Sequence, residues 1–338
     1  MNARLRAKLS KLILPQQYEQ LARGADIAAV LDILRQTEYG GSLRTVMSAG
    51  DIPRAEAALV EQLIQCHREV AAHAKGEVRR FIEELTRKFE VENLKVVLRV
   101  WKAKEGREFI YRGQICNEIP IDAILDAETI EEIIVLLGET PYRKPLAEAR
   151  EKYKRADSLF HLEVALDKEL YEATLTAVQE LSPPDKRIAS RLIGIEIDIL
   201  NINSILRARR YYNLGLADIM EVMIPGGLQV REELVREAYP GRDHAGLMSA
   251  LLTGLYGAAP HSLRTDKEVQ ALHFLEGFLR ETYSRELRKA LGGFPFTIGT
   301  AIAYLRLRKM EVSNIITVLN AKAFNLPPEE VVGSLVRV

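Results

Sequence analysis

Cysteine is nearly absent: Cys66 and Cys116 are the only two in 338 residues, and Trp101 is the only tryptophan. Two thiols so far apart cannot make a disulfide framework or a four-cysteine zinc site, and their scarcity suits a reducing compartment. An excess of charge of one sign is also missing. The 47 Lys and Arg residues balance 47 Asp and Glu residues, so no overall field draws the molecule to nucleic acid or to an acidic membrane face. Uninterrupted apolar runs are lacking too. The longest stretch free of Asp, Glu, Lys and Arg, residues 244–263, contains Gly246, Gly254, Gly257, Pro260 and His261, and is read as not spanning a bilayer. The opening residues, through Arg4, Arg6 and Lys8, include no apolar run ahead of a small-residue cleavage site, so no signal peptide is expected.

Chemistry-bearing motifs are equally sparse. The Gly-Gly pairs at 40, 226 and 292 have neither the lysine nor the preceding strand that a phosphate loop requires, which argues against ATP hydrolysis by this chain. No two of the six histidines lie four residues apart, the spacing that brings two imidazoles to one metal ion. Cys66, His67 and His73 cluster in sequence with poor ligand geometry; Cys66 is expected in the core, with His67 and His73 on a solvated face. Glu83/Glu84 and Glu131/Glu132 are adjacent pairs that diverge by about 100° around a helix, which suits a solvated surface better than acid–base work. No catalytic, metal or cofactor residue is therefore assigned. One cluster, Arg207, Arg209, Arg210 and Tyr211, combines positive charge with an aromatic ring and is the candidate for gripping an acidic partner, against the plainer reading of a polar helix face.

What the chain does have is helix. Residues 12–36, 54–89, 128–137, 147–181, 184–212, 228–238 and 265–291 are periodic and rich in Ala, Leu, Glu, Lys and Arg, all good helix formers. Only 96–102 and 107–111 have strand character. Breaks are expected at Gly40-Gly41, Ser182-Pro183-Pro184, Pro225-Gly226-Gly227, Pro240-Gly241, Gly292-Gly293 and Pro327-Pro328. The fold class expected is all-α.

The chain also repeats itself. Segments around Asn93, Asn201 and Asn314 align without gaps, each with an apolar residue, an acid three positions before the asparagine (Glu90, Asp198, Glu311) and an apolar stripe after it. The stripes are Leu94, Val97, Leu98; Ile202, Ile205, Leu206; and Ile315, Val318, Leu319, spaced to face a core from a helix. Upstream, Tyr39, Tyr142 and Tyr256 precede the three asparagines at a nearly constant separation. The repeat length exceeds that of solenoids, so three related domains are expected, over 1–113, 114–225 and 226–338. Each asparagine is either a helix cap or lies within a continuous helix and bonds to a neighbour. These repeated tyrosines and asparagines are expected to serve the fold rather than a binding site.

The C-terminal copy carries the most specific pattern: Phe294-Pro-Phe296, Thr300 to Tyr304, Arg308-Lys-Met-Glu311, Asn314, then Leu326-Pro-Pro-Glu-Glu. With Asn2-Ala-Arg4, the run Glu196 to Asn203, and Ile224-Pro-Gly-Gly227, it resembles the C subunit of V/A-type rotary ATPases, homologous to the d subunit of the vacuolar enzyme. The resemblance spans the whole chain. It implies three helical bundles around a pseudo-threefold axis, forming a funnel on the cytoplasmic face of the membrane. It further implies a non-catalytic central-stalk role, joining an axle of D and F subunits to the proteolipid ring, with no nucleic-acid partner and no bilayer span of its own. The competing expectation is a helical scaffold or trafficking adaptor unrelated to rotation.

Overall fold

The computed structural model describes residues 2–46, 51–212, 214–252 and 268–336, and among these it is helical with no strand. In chain order the helices are α1 (Asn2–Leu9), α2 (Pro15–Arg23), α3 (Ile27–Arg35), α4 (Ile52–Ala72), α5 (Gly76–Ala103), α6 (Ile121–Asp126), α7 (Ile130–Leu136) and α8 (Arg143–Ala156). They continue as α9 (Phe160–Glu180), α10 (Pro183–Arg207), α11 (Leu216–Val222), α12 (Glu232–Ala238), α13 (His244–Leu252), α14 (Glu268–Leu291), α15 (Gly299–Ala323) and α16 (Pro328–Ser334). A π-helical turn, Ala208–Tyr212, extends α10.

Local chemistry sets the helix ends. Asp26 caps α3 by accepting from the Ala29 amide at 2.9 Å. Thr129 accepts from the Glu132 amide while the Glu132 carboxylate accepts from the Glu128 amide, so these two donors at the start of α7 are satisfied. Prolines stand at the first turn of α2, α4, α10 and α16, where a missing amide costs nothing. The long periodic stretch 147–181 is broken into α8 and α9 at Asp157, which takes a left-handed conformation. Residues 96–102 are helical despite their β-branched content. Val97, Leu98 and Trp101 are buried on one face of α5, and that burial outweighs weak strand propensity.

The chain forms two compact units. One comprises residues 1–170 with 300–338, the other 171–299. In the first, α4 packs on α5, α5 on α6, and the C-terminal α16 on the N-terminal α2. Its core joins α2, α3 and α4 to α15 through Leu21, Val30, Leu34 and Leu59 with Ile315, Val318 and Leu319. His67 belongs to this interior as well, correcting its expected place on a solvated face. Its ring meets Phe89 edge-on at 4.9 Å, because the buried face of α4 is wide enough to hold adjacent Cys66 and His67. In the second unit α10 packs against α13 and α14. The stripe residues that follow the three asparagines are all buried.

Candidate functional site: the acid and asparagine clamps

Each of the three asparagines lies inside an unbroken long helix, Asn93 in α5, Asn201 in α10 and Asn314 in α15. None is a cap. Each side chain instead pairs both ways with one residue further along the chain. Asn93 donates to the Tyr111 carbonyl at 2.9 Å and accepts from its amide at 3.0 Å. Asn201 makes the same pair with Ile224, both bonds at 2.9 Å, and Asn314 with Val336 at 2.7 and 3.1 Å. An amide is the side chain suited to this task, since it offers a donor and an acceptor, as a peptide unit does.

One helical turn earlier, on the same face, sits the acid. At the first two acids two backbone donors converge, and a carboxylate accepts both. The Asp198 oxygens accept from the amides of Gln229 and Val230 at 2.9 and 2.8 Å. Glu90 accepts from the amides of Cys116 and Asn117 at 2.7 and 2.6 Å. Glu311 draws its backbone partner from the other end of the sequence: it accepts from the amide of Ile13 at 2.5 Å.

The tyrosines complete the pattern. Tyr142 donates its hydroxyl to Glu90 at 2.7 Å, and Tyr39 donates to Glu311 at 2.6 Å. Tyr39 stands as far after Ile13 as Tyr142 does after Cys116, so tyrosine and anchored amide keep one spacing. A repeated tyrosine therefore closes on the acid of the preceding copy, and for Tyr39 that copy is at the far end of the sequence. Tyr256 holds the same interval from Val230 and lies outside the described residues. The second short helix of each copy (α3, α7, α13) likewise starts at one fixed distance beyond the anchored amide of Ile13, Cys116 or Val230.

Two residues that sequence reasoning did not assign complete the first and third clamps. Arg308 bonds Glu311 at 2.7 Å and Glu38 at 3.0 Å, with its guanidinium 4.5 Å from the Tyr39 ring centre. Arg87 lies 5.5 Å from the ring centre of Tyr142 and binds Glu84 and Glu169. Both arginines stand six positions before their asparagine. The signal was the shared Arg-Lys at 87–88 and 308–309, which the second copy replaces with Ile195-Glu196. There Glu196 accepts instead from Tyr171 at 3.0 Å and Tyr283 at 3.3 Å.

The electrostatics suit anchoring rather than reaction. Burial pushes the hydroxyls of Tyr39 and Tyr142 far above the ordinary tyrosine range, with the charges of Glu311 and Glu90 adding to it. Burial also raises Glu311, against the opposing pull of Arg308 and the Tyr39 bond. The Cys116 thiol is pushed up to about 12 by burial and by Glu90, which keeps it protonated and a poor nucleophile. Among the described residues no group of three or more His, Cys, Asp or Glu side chains is placed to hold a metal ion.

The candidate partner-binding cluster is largely engaged within its own unit. Arg207 pairs with Glu276, and Arg209 donates to the Tyr239 carbonyl at 2.8 Å and to the Arg242 carbonyl, stacking 4.8 Å from the Tyr239 ring. Arg210 is half-buried, and the Tyr211 side chain lies outside the described ones.

With carboxylates and amides used to bind backbone and phenols closing on the carboxylates, comparison with known proteins decides the identity. The family described as ATP synthase (C/AC39) subunit matches residues 1–333. The chain belongs to that family. Its relatives include the C subunit of the A-type ATP synthase of Methanosphaera stadtmanae, 27% identical over 98% of this chain and 85% of the relative. The same subunit of Pyrococcus abyssi is 26% identical over 99% of this chain and 90% of the relative, and that of Haloferax volcanii 27% over 99% and 96%. As an ATP synthase (C/AC39) subunit, the chain is a non-catalytic accessory subunit of a rotary ATPase. No helix among its described residues is long and apolar enough to cross a membrane.

Proposed function

We propose that this subunit is the central-stalk coupler of an A-type ATP synthase, seated on the cytoplasmic face of the membrane and transmitting torque between an axle of D and F subunits and a proteolipid ring. The family match over residues 1–333 carries the reading. The clamps supply its physical rationale. A coupler must pass torque without deforming, and close-packed helices have low compressibility. Loops are the soft parts of a helical fold, and here one acid and one asparagine on each of α5, α10 and α15 tie backbone outside the helix down.

Three repeats over 1–113, 114–225 and 226–338, arranged as a funnel about a pseudo-threefold axis, are the architecture this reading requires. The recurring clamp supports it. Partner contacts of Arg207, Arg209, Arg210 and Tyr211 belong to the same proposal, with Arg207 offering a side chain that is 56% exposed. The test is rotation in the assembled complex. Cross-linking this chain to the ring should leave ATP-driven rotation intact, and cross-linking it to a stator subunit should stop it. Arrest by the ring cross-link would refute torque coupling, and recovery of the chain without ring or axle would favour a scaffold or adaptor.

A further inference from the structure

The three copies differ sharply in charge around their short helices. Residues 113–142, from three before the anchored Cys116 to the closing Tyr142, hold seven acidic residues and no lysine, arginine or histidine. The same span in the other copies, residues 10–39 and 227–256, holds four acidic residues and three Lys or Arg in each. In a molecule whose charges balance overall, this is an excess of acid within one copy, edged by Arg112 on one side and Arg143 and Lys144 on the other. Asp122, Asp126 and Glu131 face arginine or lysine partners, while Glu118, Glu128, Glu132 and Glu139 enter no ion pair among the described residues.

Within that span, α6 and α7 border a mostly apolar cleft of about 500 Å³, lined by Ala123, Ala127, Val135 and Leu136 with Asp126, Glu131 and Glu132 at its edge. Val135 is 69% exposed, an uncommon state for a β-branched apolar side chain in a helix that buries its other face. The repeat supplies an internal control. Counting from the start of the second short helix, the position of Val135 is Asp32 in α3 and Ser249 in α13, both exposed and polar. The positions of Glu131 and Glu132 are Ala28 and Ala29, and Ala245 and Gly246. Folding thus requires neither the exposed valine nor the acids at these places, since two related elements form without them.

We infer that the cleft between α6 and α7 docks a segment of a single-copy protein partner, one that presents an apolar side chain flanked by lysine or arginine. The apolar floor excludes water around the anchor, and the Glu132 carboxylate at its edge, with the other unpaired acids of the span, selects for cations and speeds encounter. Anionic lipid is repelled by the same charges. A ring of identical subunits would meet equivalent faces of all three copies, whereas a feature on one copy fits a partner present once. Resting on the function proposed above, the partner is the axle.

The experiment measures binding of the full chain to the purified D–F axle pair and, separately, to the detergent-solubilised proteolipid ring, across a salt series. Val135→Asp and Val135→Ser introduce the residues that the other copies carry, so they should fold; a thermal melt checks this. Each should weaken axle binding by about tenfold or more, as loss of a buried anchor does, with ring binding unchanged. Neutralising Glu118, Glu128, Glu132 and Glu139 together to glutamine should flatten the salt dependence of axle binding. Wild-type affinity and salt dependence in all these variants would overturn the inference and leave the coupler reading standing. Loss of ring binding instead of axle binding would overturn the choice of a single-copy partner, and dissociation of a self-associated chain would overturn it in favour of a second copy. A wild-type chain that binds neither axle nor ring would overturn the coupler reading and this inference with it.

Discussion

Asn201 shows what one side chain does in this fold. It is buried, its two bonds to Ile224 are internal, and the backbone groups it satisfies have no water to turn to. Removing it leaves a buried amide and carbonyl unpaired, at roughly 1–3 kcal/mol for each group. Asn201→Ala should therefore destabilise the protein by about 2–4 kcal/mol, read from urea unfolding. Asn93 makes the same pair with Tyr111 in a half-buried setting, where solvent can replace the lost partner. Asn93→Ala should cost about 1–2 kcal/mol, less than its counterpart. Equal losses at both sites would show that burial is not what sets the strength of the clamp. The sequence marked both asparagines through recurrence but could not rank them, because exposure depends on what the rest of the chain places above them.

The helices reveal a closure that joins the two ends of the polypeptide. Glu311 on α15 accepts from Ile13, Tyr39 closes on Glu311, and α16 packs on α2. The N-terminal helices α2 and α3 thus stand to the third acid as α6 and α7 stand to the first. A circular permutant should exploit this. With the C-terminal end joined to the N-terminal end by a flexible linker long enough to run from α16 to α1, and new ends placed at the turn around Gly138 and Glu139, it should fold with native helix content and a melting temperature within a few degrees of the parent. Deleting residues 1–39 should instead expose the core around Ile315, Val318 and Leu319 and leave Glu311 buried without its phenol and amide donors. Circular dichroism melts of both variants decide the matter; a stable truncation would refute the closure. The helical periodicity of these elements was readable from their residues. The partnership of Ile13 with Glu311 was not, since it spans 298 residues and a backbone amide carries no sequence signature.

For the molecule as a whole, the buried phenols set the alkaline limit of stability. Tyr39 and Tyr142 are raised far above their ordinary value of 10.0, chiefly by burial and then by Glu311 and Glu90. Below pH 10 both residues are protonated in the folded and unfolded chain, so their contribution is fully present. Above it the unfolded chain ionises first and the folded chain holds its protons, so stability falls as pH rises, by about 1.4 kcal/mol per pH unit for each such tyrosine. Urea midpoints measured from about pH 9 to 11.5 should decline, and Tyr39→Phe should decline less steeply by one proton. An unchanged slope in that variant would mean that Tyr39 ionises in the folded state. A subunit assembled from such joints keeps these bonds across the neutral range, where neither of these phenols titrates.

The all-α class, the helix breaks at the glycine and proline pairs, the core stripes and the threefold recurrence of acid and asparagine followed from composition and spacing, because helical periodicity and turn chemistry are local and act on neighbouring residues; the breaks inside 12–36, 54–89 and 147–181 did not. Resemblance at the level of residues also pointed to the family. The remainder came from distance in sequence. Whether an asparagine caps a helix or pins a loop depends on which backbone arrives opposite it. Whether His67 faces water depends on where Phe89 lies on the next helix. That Tyr39 serves an acid at position 311, and that Val135 alone of three matched positions is an exposed apolar residue, are facts of burial and juxtaposition, created only when chain segments far apart in order are brought within hydrogen-bonding reach.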